Sequence, residues 1–168
     1  MSRLIALDVG EARVGVAVSD AGGVLASPYT TLHVTRDRSQ LWASIRRAID
    51  ETEAAALVVG LPVSLDGQIH GQGERILAFV EQLKQHVSIP ITCWDERLST
   101  VEARRLLSER DLDGYVDERG KRRRRGRMPQ ARSRRRKGQE IDALAAAVIL
   151  QDYLDHLRQS SLSEDRNV

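Results

Sequence analysis

The chain has 168 residues and a net charge of only +2, long enough to bury a core without disulfides or a structural metal. Its 41% hydrophobic but 4% aromatic content implies an aliphatic, alanine-rich core. The single Cys93 excludes an intrachain disulfide, and the separated His33, His70, His86 and His156 give no zinc-type spacing. No run approaches the roughly 20 apolar residues of a membrane span. The opening MSRLIALDVG reaches an acid after four apolar residues, which predicts no signal peptide.

RLIALDV (3–9) reads as a strand buried on both faces. RVGVAVSD (13–20) alternates, with Val14, Val16 and Val18 on one side, so the two strands form a hairpin turning through Gly10, Glu11 and Ala12. A third strand is expected within VLASPYTTLHV (24–34). SQLWASIRRAIDETEA (39–54) has helical spacing through Leu41, Ile45, Ala48 and Ile49, and ALVVGLP (56–62) then reads as a buried strand. After VSLDGQIHGQG, the segment ERILAFVEQLKQHV (74–87) is helical, and IPITCWD (89–95) is another strand. STVEARRLLSER opens with a capping box, Ser99 with Glu102. QEIDALAAAVILQDYLDHLRQ (139–159) is a long closing helix, and residues 160–168 are expected to be a disordered tail.

Three opening strands followed by alternating helices and strands predict an α/β fold with a mixed sheet and helices on both faces. Residues 1–159 are expected to form one domain. Within it, residues 119–137 stand apart. Arg119, Lys121, Arg122, Arg123, Arg124, Arg125, Arg127, Arg132, Arg134, Arg135, Arg136 and Lys137 put +12 there with no acid, which leaves −10 for the rest of a chain whose total is +2. Such a block repels itself, predicts a mobile insertion, and suits a phosphate backbone because the arginine fork matches phosphate geometry. The bland reading is a solvated segment that only aids solubility.

Three carboxylates occupy positions where structure alone would not place them. Asp8 ends a run of apolar strand residues, and a buried carboxylate needs compensation. Glu96 lies in the short link from a strand to a capped helix, at the end of the sheet where α/β folds bind ligands. Asp142 lies opposite the polar stripe of Gln151, Asp155 and Arg158 at 100° per residue, in line with Ala145, Ala146, Ile149 and Tyr153. Each has an ordinary alternative: a turn cap for Asp8, an ion pair with Arg97 for Glu96, a favourable helix N-terminus for Asp142. Together they suggest a cluster of hard oxygen ligands without His or Cys, which selects Mg²⁺ or Mn²⁺. Two such ions about 4 Å apart suit phosphodiester hydrolysis.

LIALDVGEARVGVAVSD, ALVVGLPVSLDG, WDERLSTVEARRLL and EIDALAAAVILQDYL closely resemble, in order, the signature blocks of the YqgF (RuvX-type) family of pre-16S ribosomal RNA nucleases, also described as Holliday-junction-resolvase-like. The resemblance spans residues 3–157 without the basic insertion. It implies a ribonuclease H-like fold with a five-stranded mixed sheet, and a cytoplasmic enzyme that processes the 5′ end of the small-subunit ribosomal RNA precursor. It carries the catalytic and metal-binding roles onto Asp8, Glu96 and Asp142. Asp95 and Arg97 share the DER motif; Asp95 is expected to support the ligands and Arg97 to hold the scissile phosphate or orient Glu96. Gly10, Gly60 and Pro62 are expected to shape the backbone beside the site, and SLDGQIHGQG could form a flap over it. Ser99-Thr100 departs mildly from the two threonines usual after that motif. The basic segment is longer and richer in arginine than usual. The implied partners are RNA, the ribosome or structured DNA, with neither a membrane nor a nucleotide cofactor.

Rival readings remain. DVGEARVGVA also has the phosphate-binding hairpin pattern of actin-like and sugar-kinase ATPases, but this chain has no room for a second lobe. A DNA-junction resolvase would keep the same acids and metals, since recognition of a 2′-hydroxyl leaves no local signature. A non-enzymatic RNA-binding or transcription-associated factor would keep the basic segment alone.

Overall fold

The computed structural model describes residues 2–62, 69, 71–95 and 130–164. In chain order it contains β1 (Arg3–Val9), β2 (Arg13–Ser19), β3 (Ala26–His33), α1 (Ser39–Thr52), β4 (Ala54–Leu61), α2 (Gln72–Leu83), β5 (Ile91–Asp95) and α3 (Gln130–Glu164). The strands form one five-stranded sheet in the order β3-β2-β1-β4-β5. β1 pairs antiparallel with β2 and β2 with β3, whereas β4 runs parallel to β1 and to β5. The mixed sheet expected from the element order is therefore present, and β1, the first strand made, lies at its centre.

Alternation along the strands sorts the side chains into two layers. Ile5, Leu7, Val14, Val16, Leu57 and Val59 face α1 and α2, where they meet Leu41, Trp42, Ile45, Ile76, Phe79 and Leu83. Trp42 fills the seam between the two helices, 5.0 Å from the ring of Phe79 and stacked 5.1 Å from His86. The opposite face carries smaller residues, Ala6, Ala17 and Val58, against Ala146, Ala147, Ile149, Leu150 and Leu154 of α3. Small residues on both sides let α3 approach the sheet closely.

Two local features shape the edges. Helix α1 stops at Thr52 because Glu53 turns left-handed (φ 54°, ψ 38°) and Ala54 at once joins β1 beside Arg3. The register of β3 slips between Val16 and Ala17, whose partners are Thr30 and Pro28, leaving Tyr29 as the extra residue of a bulge. Bulge and proline both suit an edge strand. The Tyr29 hydroxyl donates to Glu51 of α1.

Helix α3 differs from the expectation at both ends. It begins at Gln130, nine residues before the predicted start, so the part of the basic segment from 130 to 137 is helical. Arg, Lys, Gln and Ala are good helix formers, and Pro129 just before the first turn suits a helix start. It also continues to Glu164, into the residues expected to be a disordered tail. Ser160 and Ser161 there donate their hydroxyls to the carbonyls of His156 and Arg158. Residues 119–129, the predicted helix after Ser99 and the SLDGQIHGQG loop, apart from Ile69 and its last residues from Gly71, lie outside the described residues. Among the described residues no helix is long and apolar enough to cross a membrane.

Candidate active site

Asp8 is the next-to-last residue of β1, and its cross-strand partner on β2 is Gly15. Directly paired residues share a face, and Ala6 with Ala17 fixes which one: Asp8 and Gly15 look toward α3. A Cβ built on Gly15 would fall 1.9 Å from the carbonyl oxygen of Asp142 and 3.1 Å from the amide nitrogen of Ala143. Only glycine permits this seat. A glycine inside a strand often marks close approach by another backbone, here the backbone of the residue that bears the second carboxylate.

The other neighbour of Asp8 is equally bare. Leu7 pairs with Val59 of β4, so the next position on the Asp8 side of the ladder is Gly60, itself paired with Trp94 of β5. Asp8 is thus flanked by glycine on both adjacent strands. Gly60 thus puts no side chain between Asp8 and the end of β5, about two interstrand spacings, or roughly 10 Å, away. Trp94 is packed under α3, with its ring 5.2 Å from Tyr153 and 5.0 Å from His156. This fixes the end of β5 at the same edge of the sheet as the end of β1, since β1, β4 and β5 are parallel.

Asp142 sits on the flank of the buried stripe of α3 rather than at its centre. Ala143, Ala146, Leu150 and Leu154 are buried, and that stripe is centred about 80° from Asp142 on the helical wheel. Its side chain is consequently 23% exposed and forms an ion pair with Arg13, whose Nε lies 2.5 Å from Oδ2. That oxygen is buried yet accepts no hydrogen bond among the described residues. Distance and hydrogen-bond geometry disagree here because the N–H is not aimed at the oxygen, so the contact is one of charge. The expected polar stripe is also more engaged than predicted. Gln151 accepts from Ala26 N (2.9 Å) and donates to the Val24 carbonyl (3.0 Å), tying α3 to the start of β3.

Gly10 turns the β1–β2 hairpin. Its amide donates to the Arg13 carbonyl at 2.9 Å, and a Cβ at Gly10 would approach that same oxygen to 2.9 Å. Pro62 follows β4, and its carbonyl would lie 3.0 Å from a Cβ on Gly73, so the first turn of α2 passes close beneath it. Asp95 closes β5 opposite Leu61, a residue of the α1/α2 layer, and so it belongs to the face away from Asp8. Glu96 and Arg97 follow it in sequence and lie outside the described residues, as do Arg119, Lys121, Arg122, Arg123, Arg124, Arg125 and Arg127. Among the described residues there is accordingly no group of three metal-binding side chains.

Arg132, Arg134, Arg135, Arg136 and Lys137 lie on the first turns of α3. The helix runs from Asp142 above Gly15 to Gln151 beside Ala26. Its earlier turns therefore continue past the edge where β1 ends, about 18 Å of helix between Gln130 and Asp142. An open groove of about 530 Å³ lies beside the turn of α3 that carries Asp142, lined by Pro28, Tyr29, Thr30, Thr31, Glu140, Ala143 and Leu144. It occupies the β3 flank of α3 and contains neither carboxylate.

Two residues of this site carry no obvious sequence signal as functional. Gly15 looked like one small residue on an alternating strand, and its interior position was the available clue. Arg13 looked like an ordinary first residue of a strand.

A five-stranded mixed sheet of this order, crossed by a long helix, is a ribonuclease H-like fold, and the family of the chain makes it a phosphodiester-cleaving nuclease. The chain belongs to the RuvX family, described as Holliday junction resolvase, whose model matches residues 2–156. It is 39% identical over 154 residues to a protein of Thermoanaerobacter pseudethanolicus, covering 91% of this chain and 96% of that one. It is 40% identical over 156 residues to one of Roseiflexus sp. (strain RS-1), covering 93% and 96%. Both carry the name "Putative pre-16S rRNA nuclease". Among solved structures, Thermus thermophilus RuvC in complex with a Holliday junction substrate is similar in fold, with TM-score 0.54, 11% identity, and coverage of 95% of this chain and 96% of that one.

Proposed function

We propose that the protein is a divalent-metal-dependent ribonuclease that trims the 5′ end of the small-subunit ribosomal RNA precursor in the cytoplasm, with Asp8, Glu96 and Asp142 as metal ligands. The observation that carries this reading is the seating of the Asp142 backbone on Gly15, the cross-strand partner of Asp8. It brings carboxylates from the two ends of the sequence to one rim. The relatives' names supply the substrate class.

The residues fit a hard cation. The donors are carboxylate oxygens, and one of them, Asp142 Oδ2, is buried without an accepted hydrogen bond among the described residues. Bound Mg²⁺ or Mn²⁺, one ion or two, would supply an activated water and neutralise charge gathering on the phosphate. The chain's own residues do the rest. Gly15 gives the Asp142 backbone its seat on the strand beside Asp8, and Gly60 puts no side chain on the other flank. Trp94 holds the end of β5 against α3. The basic residues of 119–137, whose last members lie on turns of α3 overhanging this edge, draw the nucleic-acid backbone toward it.

A structured-DNA substrate is the second reading, favoured by the family's description as a Holliday junction resolvase. The test incubates the protein and Asp8→Asn with end-labelled single-stranded precursor RNA, and with a four-way DNA junction, in Mg²⁺, Mn²⁺ or EDTA. RNA cleavage that needs metal and disappears in the variant supports the proposal. Cleavage of the junction alone favours the resolvase, and binding without variant-sensitive cleavage of either substrate overturns both.

A further inference from the structure

Arg13 is held in place by the backbone and reaches the site by its side chain. Its carbonyl is pinned by the Gly10 amide across the hairpin turn, and its strand pairs with β1 along the rungs that carry Asp8 and Gly15. From there its guanidinium reaches Asp142 Oδ2, the buried oxygen that accepts no hydrogen bond among the described residues. The pair has charge without the directed hydrogen bond that makes an arginine–carboxylate contact strong. With Arg13 38% exposed, the side chain also has water into which it can swing. Such a contact offsets the repulsion between neighbouring carboxylates and yields readily to a stronger cation.

We propose that Arg13 is the resident counter-ion of the site and competes with a divalent cation for Asp142, so that Arg13 sets the metal affinity. Metal loading and the Arg13–Asp142 pair then exclude one another. The guanidinium displaced by the ion is left at the rim of the site, at the place where a phosphate enters. Arg13 acts through Asp142 and is a positioning residue. This inference rests on the reading of Asp142 as a metal ligand.

The test reads metal binding rather than cleavage. Free Mn²⁺ is followed by electron paramagnetic resonance during titration of wild type, Arg13→Gln and Arg75→Gln. Arg75 pairs with Glu11 of the hairpin turn and is a control for the simple loss of a positive charge near this edge. Arg13→Gln is expected to lower the Kd for Mn²⁺ about fivefold, the scale of one partly exposed ion pair, while Arg75→Gln leaves it unchanged. An equal or weaker affinity in Arg13→Gln overturns the proposal, as does equal tightening in both variants. If wild type binds no Mn²⁺, the metal reading fails together with it. If Arg13→Gln does not fold, the Nε resonance of Arg13 in wild type is followed by NMR as Mg²⁺ is added. Movement in step with occupancy supports the competition, and a resonance unchanged at saturation overturns it.

Discussion

Gly15 lies directly beneath Asp142, so close that a single methyl group on the strand would stand 1.9 Å from the helix carbonyl. Neither backbone can yield cheaply, because Gly15 is held by ladders on both sides and α3 is anchored by the buried Leu150 and Leu154. Gly15→Ala is expected to destabilise the protein by about 1–3 kcal/mol, the cost of overpacking. Because the helix must lift, Asp142 should also leave Asp8, and cleavage should fall further than the loss of folded protein explains. Urea denaturation beside cleavage rates normalised to folded protein checks this.

Asp142→Asn separates chemistry from stability. The shape is kept, and the lost ion pair with Arg13 is partly exposed, so the stability change should stay below about 1 kcal/mol. Metal-dependent cleavage should nevertheless fall at least about a hundredfold, as expected when a carboxylate that holds the cation is neutralised. A variant that loses activity only in proportion to its unfolding would remove Asp142 from the site.

These two expectations also mark how far the sequence could be read. Asp8 was legible because a carboxylate interrupts an apolar strand, and Asp142 because 3.6 residues per turn set it opposite Gln151 and Asp155. The wheel was rotated, however: the buried stripe follows Ala143, Ala146 and Leu150, a contact pattern decided by the sheet rather than by the helix. Gly15 and Arg13 were missed because their importance lies in what they touch across the fold. The start of α3 is not legible because repulsion among the arginines opposes their helix propensity, and the sequence does not show which prevails.

Glu53 holds a left-handed conformation at the end of α1, with φ 54° and ψ 38°. A side chain there is strained, and glycine is not. Glu53→Gly is expected to raise stability by about 0.5–1 kcal/mol, after allowing for the greater freedom of glycine in the unfolded chain. The midpoint of urea denaturation should rise with an unchanged slope.

Asp20 organises the turn before β3, where its Oδ1 accepts the amides of Val24 at 2.7 Å and Leu25 at 3.0 Å. The Leu25 bond first, then that of Val24, holds its carboxyl below the ordinary 3.8. A depressed folded-state pKa contributes stability that is present above the unfolded value and lost as pH falls through the folded one. Asp20→Asn should therefore lower Tm at pH 7, and the gap to wild type should shrink as pH falls below 3.8. A gap that stays constant down to pH 2 would show that the charge has no part in the turn.

Replacing Arg122, Arg123, Arg124 and Arg125 with Ser should weaken RNA binding and flatten its salt dependence. Each lost phosphate contact removes about 0.7 from the slope of log K against log salt for a single strand. Four lost contacts would lower it by about 3, and an unchanged slope would separate this segment from the RNA backbone.

β1 is the first described strand of the chain, whereas Asp142 arrives on α3 after every described strand has been made. The strands that carry Asp8 and Gly15 are therefore made well before the helix that covers them. The bare rung at Gly15 is thus built early and is filled only when the last described helix settles onto it.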